Sequence, residues 1–320
     1  MRKTKSIIVL FLIILLITAA SCDKKSKNTG TQEFGFIGGT EGLEISFVEG
    51  TPPERIFIED PFLISIQLEN KGETTIDLGQ VLTTLEGISY RSYSIPKPTL
   101  VNEIPIERIR FDKQSNTQLL GGIENINYEA EFVDKIDFET THTMSMNVCY
   151  LYQTRSVSSL CLVNDPTQRP GTADVCLVNE VKGVGNSGAP IQVTQLSERA
   201  SGKSEISFNF QIENKGTGKV YHPTFVDKAD PQCTDAGNEK FSDLVQVTII
   251  PPEGLEVSCP KLDHGILGDV RLIKGASTVV CKLSTNQVTQ SAPFPGEIKV
   301  QVDYIYKEHA STQVTVESLA

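Results

Sequence analysis

Seven cysteines carry most of the chemical potential of this 320-residue chain. Cys22 closes an apolar run, while Cys149, Cys161, Cys176, Cys233, Cys259 and Cys281 form a separate, even-numbered set. Six thiols in an exported chain pair as disulfides. One pairing follows from local geometry. Met144–Tyr152 and Val157–Val163 read as two strands around a polar turn, Thr154-Arg155-Ser156. In a regular hairpin of that kind Cys149 faces Cys161, within reach of a disulfide. Proximity then joins Cys259 to Cys281 and leaves Cys176 with Cys233. The rival chemistries are zinc binding and a catalytic thiol. No Cys-x-x-Cys occurs, and none of His142, His222, His264 and His309 has a second His at metal-motif spacing, so neither metal nor cofactor is expected.

Other reactive patterns are weaker. Gly183-Val-Gly-Asn-Ser-Gly188 has the composition of an anion cradle, but it precedes an expected strand and lacks the helix that supports such sites, so it reads as linker. Asp230-Pro-Gln-Cys-Thr-Asp-Ala-Gly-Asn-Glu239, with Asp243 beyond, offers oxygen ligands at loop spacing without the EF-hand pattern. A solvated acidic loop is the plainer reading. Gly-x-Ser-x-Gly, His-Glu-x-x-His and Asn-x-Ser/Thr are all absent. The chain is therefore expected not to be an enzyme. An envelope hydrolase, the alternative, would need His, Asp and Ser gathered from distant positions into one cleft.

The N-terminus sets the compartment. Arg2, Lys3 and Lys5 precede an uncharged run from Ile7 to Ala20, which Ala19-Ala20-Ser21-Cys22 closes. A basic start, a short apolar stretch and small residues before a cut make a secretory signal over residues 1–21. The run is shorter than the roughly 20 residues a helical span requires. Its end resembles the lipobox of prokaryotic lipoproteins, with Ala19 where that pattern usually has Leu. The resemblance implies that Cys22 becomes a lipidated N-terminus; an uncleaved anchor is the alternative. Either places the protein on the extracytoplasmic face of the cell membrane. Residues 22–39 read as a flexible stalk.

Removing residues 1–21 takes away three of the 29 basic residues and none of the 40 acidic ones, so the remainder carries a net charge of −14. Such a surface repels phosphate backbones, which excludes nucleic acid as a partner.

The elements that would display these residues are strands. Phe62–Gly72 and Ser204–Gly216 both alternate apolar and polar residues, and both end in Glu-Asn-Lys-Gly. Alternation that stops at Asn-x-Gly marks a half-buried strand entering a turn. The ends of the two halves repeat as well. Met144, Met146, Val148, Tyr150 and Tyr152 match Ile298, Val300, Val302, Tyr304 and Tyr306 at a constant offset of 154, and each half is expected to close on a hairpin. Further short strands are expected at 43–48, 104–111, 128–138, 191–196, 244–250 and 278–283. The fold class is all-β: two tandem β-sandwich domains, residues 40–164 and 189–320, joined by a linker over 165–188.

The strand–Asn-Lys-Gly endings resemble the immunoglobulin-like modules of prokaryotic surface proteins, among them CARDB-type adhesion modules. Gly188-Ala-Pro-Ile-Gln-Val-Thr194 and Cys149-Tyr-Leu-Tyr-Gln-Thr154 are similar to segments of archaeal surface proteins. The resemblance spans residues 40–320 and implies an immunoglobulin-like sandwich with an adhesion role, without carrying over any site residue. The function expected is a membrane-tethered binding or structural protein with a protein or glycan partner at the cell surface. The alternative is a self-assembling subunit of an envelope layer or filament, in which an edge strand pairs between copies.

Overall fold

A computed structural model of the chain describes residues 35–318, apart from 170, 172–173, 224–225, 228–229 and 232–239. The signal segment, Cys22, Cys233 and most of the acidic loop therefore lie outside the described residues. No helix among the described residues is long and apolar enough to cross a membrane.

The described chain is all-β. Its first part forms β1 (Leu43–Phe47), β2 (Arg55–Phe57), β3 (Pro61–Asn70), β4 (Val81–Glu86) and β5 (Thr99–Val101). There follow β6 (Arg110–Asp112), β7 (Thr117–Leu119), β8 (Ile123–Glu131) and the long β9 (Thr140–Leu162). The second part opens with β10 (Val181–Lys182), β11 (Val184–Asn186), β12 (Ile191–Gly202), β13 (Glu205–Asn214) and β14 (Lys219–Tyr221). Then come β15 (Val226–Asp227), β16 (Asp230–Pro231), β17 (Leu244–Ile250), β18 (Val257–Ser258) and β19 (Leu267–Arg271). The chain closes with β20 (Ala276–Ser284) and the long β21 (Phe294–Glu317).

Period-two alternation dictates these strands. In β13, Ile206, Phe208, Phe210 and Ile212 are fully buried while the residues between them are half-exposed. A three-stranded sheet, β1-β3-β8, and a five-stranded sheet, β10-β12-β13-β20-β18, both pack against a nine-stranded sheet of order β19-β17-β21-β9-β4-β5, with β2, β11 and β14 at its flanks. Their inner faces form one buried core.

β9 and β21 differ from the expected hairpins. Each is a single uninterrupted strand, and the two pair antiparallel from Phe294↔Leu162 to Val316↔Thr140. At about 3.4 Å per residue such a ladder runs roughly 75 Å. The N-terminal half of β9 carries β4, and its C-terminal half carries β11. β21 does the reverse, pairing β17 early and β2 late. Each half of the chain thus lends half of a long strand to the other. The polar stretch Thr154-Arg155-Ser156 stays extended because its side chains have buried partners: Thr154 Oγ1 donates to Ile191 O at 2.6 Å, and Ser156 Oγ to Asn186 Oδ1 at 2.5 Å.

Straightening that segment overturns the expected Cys149–Cys161 bond. On one strand the two residues stand about 40 Å apart. Cys161 is bonded instead to Cys176, with Cα atoms 5.6 Å apart, which also removes the Cys176–Cys233 pairing. Cys149 is disulfide-bonded as well, but not to Cys161. The Cys259–Cys281 bond is present. It sits one step beyond the Val257↔Leu283 and Ser258↔Lys282 pairs, in the cross-strand geometry that Cys149 and Cys161 lack. The Gly183–Gly188 segment is also not a linker, since β11 and its neighbours are built into the sheets.

Candidate functional site

The repeat offset of 154 and the β9–β21 register together place a pseudo-twofold axis at the Leu151↔Ile305 pair. Around it Tyr150, Tyr152, Tyr304 and Tyr306 bury their rings, with centroids of neighbouring rings 5.6 to 6.4 Å apart. Burial holds the Tyr150 and Tyr304 hydroxyls far above the ordinary phenol range and pushes Tyr306 up to about 12, so all remain neutral donors.

The twin Glu-Asn-Lys-Gly turns are sockets for two of these rings. Asn70 Oδ1 accepts from Gly72 N and from the Tyr152 hydroxyl, both at 3.1 Å, while its Nδ2 donates to Thr74 O and Ile106 O. Asn214 does the same for Gly216 N and the Tyr306 hydroxyl, at 3.2 and 3.0 Å. The glycine leaves room for the phenol: a Cβ on Gly72 would lie 2.0 Å from the Tyr152 oxygen, and one on Gly216 would lie 2.3 Å from that of Tyr306.

The other two tyrosines break the symmetry. Tyr304 meets Thr154 Oγ1 at 3.0 Å and accepts from Ile191 N at 3.4 Å. Tyr150 accepts from Leu43 N at 3.2 Å but donates to the Glu308 carboxylate at 2.9 Å. Burial, reinforced by Glu41, raises the pKa of Glu308. Beside it lies a cavity of about 430 Å³ lined by Glu41, Pro190, Lys215, Gly218, Glu308 and His309.

The corresponding place in the second half is filled by the chain itself. The Glu73 carboxylate accepts from Ile37 N, Gly38 N and Gly188 N at 2.7 to 3.1 Å. The Gly188 amide considered as an anion donor thus serves an internal carboxylate. Arg155, opposite His309 in the repeat, donates to Glu73 O and lies over the Phe36 ring. Residues 36–39 are therefore docked on the fold and do not belong to the flexible stalk expected over residues 22–39.

Further along β9, Glu198 is fully buried and both its oxygens accept from Cys161 N at 3.0 Å, with Lys182 Nζ 3.1 Å away. Burial pushes its pKa up to about 7. Sequence reasoning missed Glu73 and Glu198, because nothing local distinguishes them from surface acids.

The described histidines are not brought together. His142 meets Tyr93, His222 pairs with Asp269 at 2.8 Å, and His309 is exposed on β21 rather than in a turn. Among the described residues no group of three or more His, Cys, Asp and Glu is placed to hold a metal ion.

No family model and no curated relative matches the chain. Among solved structures it is similar to a protein of unknown function from Porphyromonas gingivalis W83, at 5% identity and a TM-score of 0.19, over 87% of this chain and all of that one. It is also similar to Escherichia coli alpha-2-macroglobulin, at 11% identity and a TM-score of 0.18, over 89% of this chain and 23% of that one. A third is the C-terminal domain of the Streptococcus pyogenes antigen I/II-family protein AspA, at 7% identity and a TM-score of 0.16, over 88% of this chain and all of that one. The architecture given above rests on this chain's own sheets.

Proposed function

We propose that the chain is a membrane-tethered extracytoplasmic protein with a binding or structural role at the cell surface. Its two halves act as immunoglobulin-like sandwich units that exchange long strands. The observation that carries this reading is the pair of disulfides, Cys161–Cys176 and Cys259–Cys281, set in an all-β core. Such bonds persist in oxidising compartments. They agree with the basic start, the short apolar run and the small residues before Cys22, which would carry the lipid. The protein works by contact rather than by catalysis, and its partner is a protein or glycan. The net negative charge argues against nucleic acid.

Intact mass of the protein recovered from its native membranes, with and without reductant, tests this. A chain that begins at a lipid-bearing Cys22 and gains about two mass units for each disulfide reduced is the expected result. Residues 1–21 retained on a chain of free thiols would overturn it.

A further inference from the structure

The two long strands present equivalent outer edges, and among the described residues only one is covered along its length. Along β9, Arg155 exchanges hydrogen bonds with Ser187, β11 pairs with Ser156–Ser158, and Glu198 caps Cys161 N. At the repeat offset of 154, Arg155 corresponds to His309 and Cys161 to Thr315. Thr315 N donates away from β9 to Glu54 O, and the β9–β21 register is unbroken. His309, Ser311 and Gln313 therefore turn their N–H and C=O groups the same way. Among the described residues β14 pairs only as far as Lys307 and β2 only from Thr315, so no strand covers the stretch between.

The opposite wall of this slot is β1. Leu43 N donates away from β3 to Tyr150, and the β1–β3 register is regular, so Ile45 also directs its N–H and C=O into the gap. Its counterpart in the second half, at an offset of 148, is Val193. There Asn186 of β11 bridges the walls: its Oδ1 accepts from Val193 N and Ser156 Oγ, and its Nδ2 donates to Val193 O. Val193 and Ser156 are consequently 1% and 2% exposed, whereas Ile45 and Ala310 in the open slot are only half-buried. The first half's own segment does not fill the gap. At the same offset of 148 Gly38 matches Asn186 in sequence, but it has no side-chain amide to offer Ile45, and its N–H is held on Glu73 instead.

We infer that the slot between β1 and β21 is a strand-acceptor site that takes one extended peptide segment of a partner polypeptide, with an asparagine-type amide facing inward. The matching place in the covered half takes one short strand, β11, so the occupant inferred here is a loose segment rather than the sheet edge of a second copy. Backbone pairing to His309, Ser311 and Gln313 supplies affinity, and the inward amide on Ile45 supplies selection. This deepens the surface-binding reading and rests on it.

Hydrogen exchange on the full chain tests the inference, with an eight-residue peptide copying Val181–Gly188 as the probe. Without peptide, the amides of His309, Ser311 and Gln313 are expected to exchange at least about 100-fold faster than those of Arg155, Val157 and Cys161. Saturating peptide is expected to slow them about tenfold or more, and the same peptide carrying Asn186→Val is expected not to. Ala310→Arg, which places a long side chain in the slot, should abolish that protection. Slow exchange in the free protein would mean that the chain itself or a second copy already fills the slot, and would overturn the inference. So would rapid exchange that the peptide leaves unchanged. The wild-type arms decide the matter even if the variant misfolds. Neither depends on where the protein resides, so the mass measurement fails or succeeds independently.

Discussion

The two halves of the molecule use the same parts around one axis and finish them differently. Both anchor a tyrosine in an Asn-Lys-Gly socket, and both lay the start of a strand over a second tyrosine. In the second half the surroundings are closed, by Glu73 gathering three backbone amides, by β11 along β9, and by Glu198 on Cys161. In the first half, Thr217 matches Glu73 in the repeat and is exposed, Glu308 replaces Thr154, and among the described residues no strand pairs with β21 from His309 to Gln313 on that edge. A repeat duplicates the framework. What distinguishes its copies is which outward backbone groups receive a partner among the described residues.

The largest effect that would sharpen this contrast is a methyl group placed in each socket. Gly72→Ala drives its Cβ to 2.6 and 2.7 Å from the backbone oxygens of Gly188 and Glu41, which cannot swing away. A loss of more than about 3 kcal/mol is expected. The three atoms nearest a Cβ on Gly216 all belong to the side chains of Tyr306 and Pro190, and Gly216→Ala should cost about 1 to 2 kcal/mol. Urea unfolding of both variants checks the order, and equal losses would mean the halves are packed alike.

Next comes the anion held by backbone amides. Glu73→Ala strands three N–H groups and should cost about 2 to 3 kcal/mol, whereas Thr217→Ala at the matching exposed position should stay within about 0.5 kcal/mol. Thermal melts of the pair would break the comparison if the two losses were similar.

The smallest effect is a pH dependence confined to the second half. The folded-state pKa of Glu198, about 7, lies above its ordinary value of 4.5, so the folded protein holds this proton more tightly. Its contribution to stability is therefore present in full below pH 4.5 and is lost as pH rises through 7. Between pH 5 and 7 the change amounts to about 2 kcal/mol. Urea midpoints across that range should fall with pH in the wild type, and Glu198→Gln should flatten that part of the slope. At the matching position of the first half a main-chain carbonyl, Glu54 O, does the capping and titrates nothing.

Much of the framework can be read from the residue string, because strand alternation and turn residues are local signals. The expected strand at 244–250 coincides with β17, and the two Glu-Asn-Lys-Gly endings do terminate β3 and β13. The long strands escaped the same logic. Thr154, Arg155 and Ser156 have turn composition, yet Tyr152, Thr154, Ser156, Ser158 and Leu160 continue the inward alternation without a break. Polar residues inside a strand look like a turn until the groups that satisfy them, Ile191 O, Tyr304 and Asn186, are brought alongside from distant parts of the chain. The Cys149–Cys161 pairing fell with that turn, while Cys259–Cys281 survived because it depends only on neighbouring strands.

The all-β class, the repeat at an offset of 154 and the Cys259–Cys281 pairing can all be read from the residue string, since each depends on periodicity or on proximity along the chain. That the duplicated segments pair with each other rather than fold back on themselves is visible only in the folded chain. So is the meeting of four tyrosines at one axis, and so is the difference between the two equivalent edges among the described residues. Those outcomes turn on which distant backbone amides and carbonyls find partners, and no local pattern of residues encodes that.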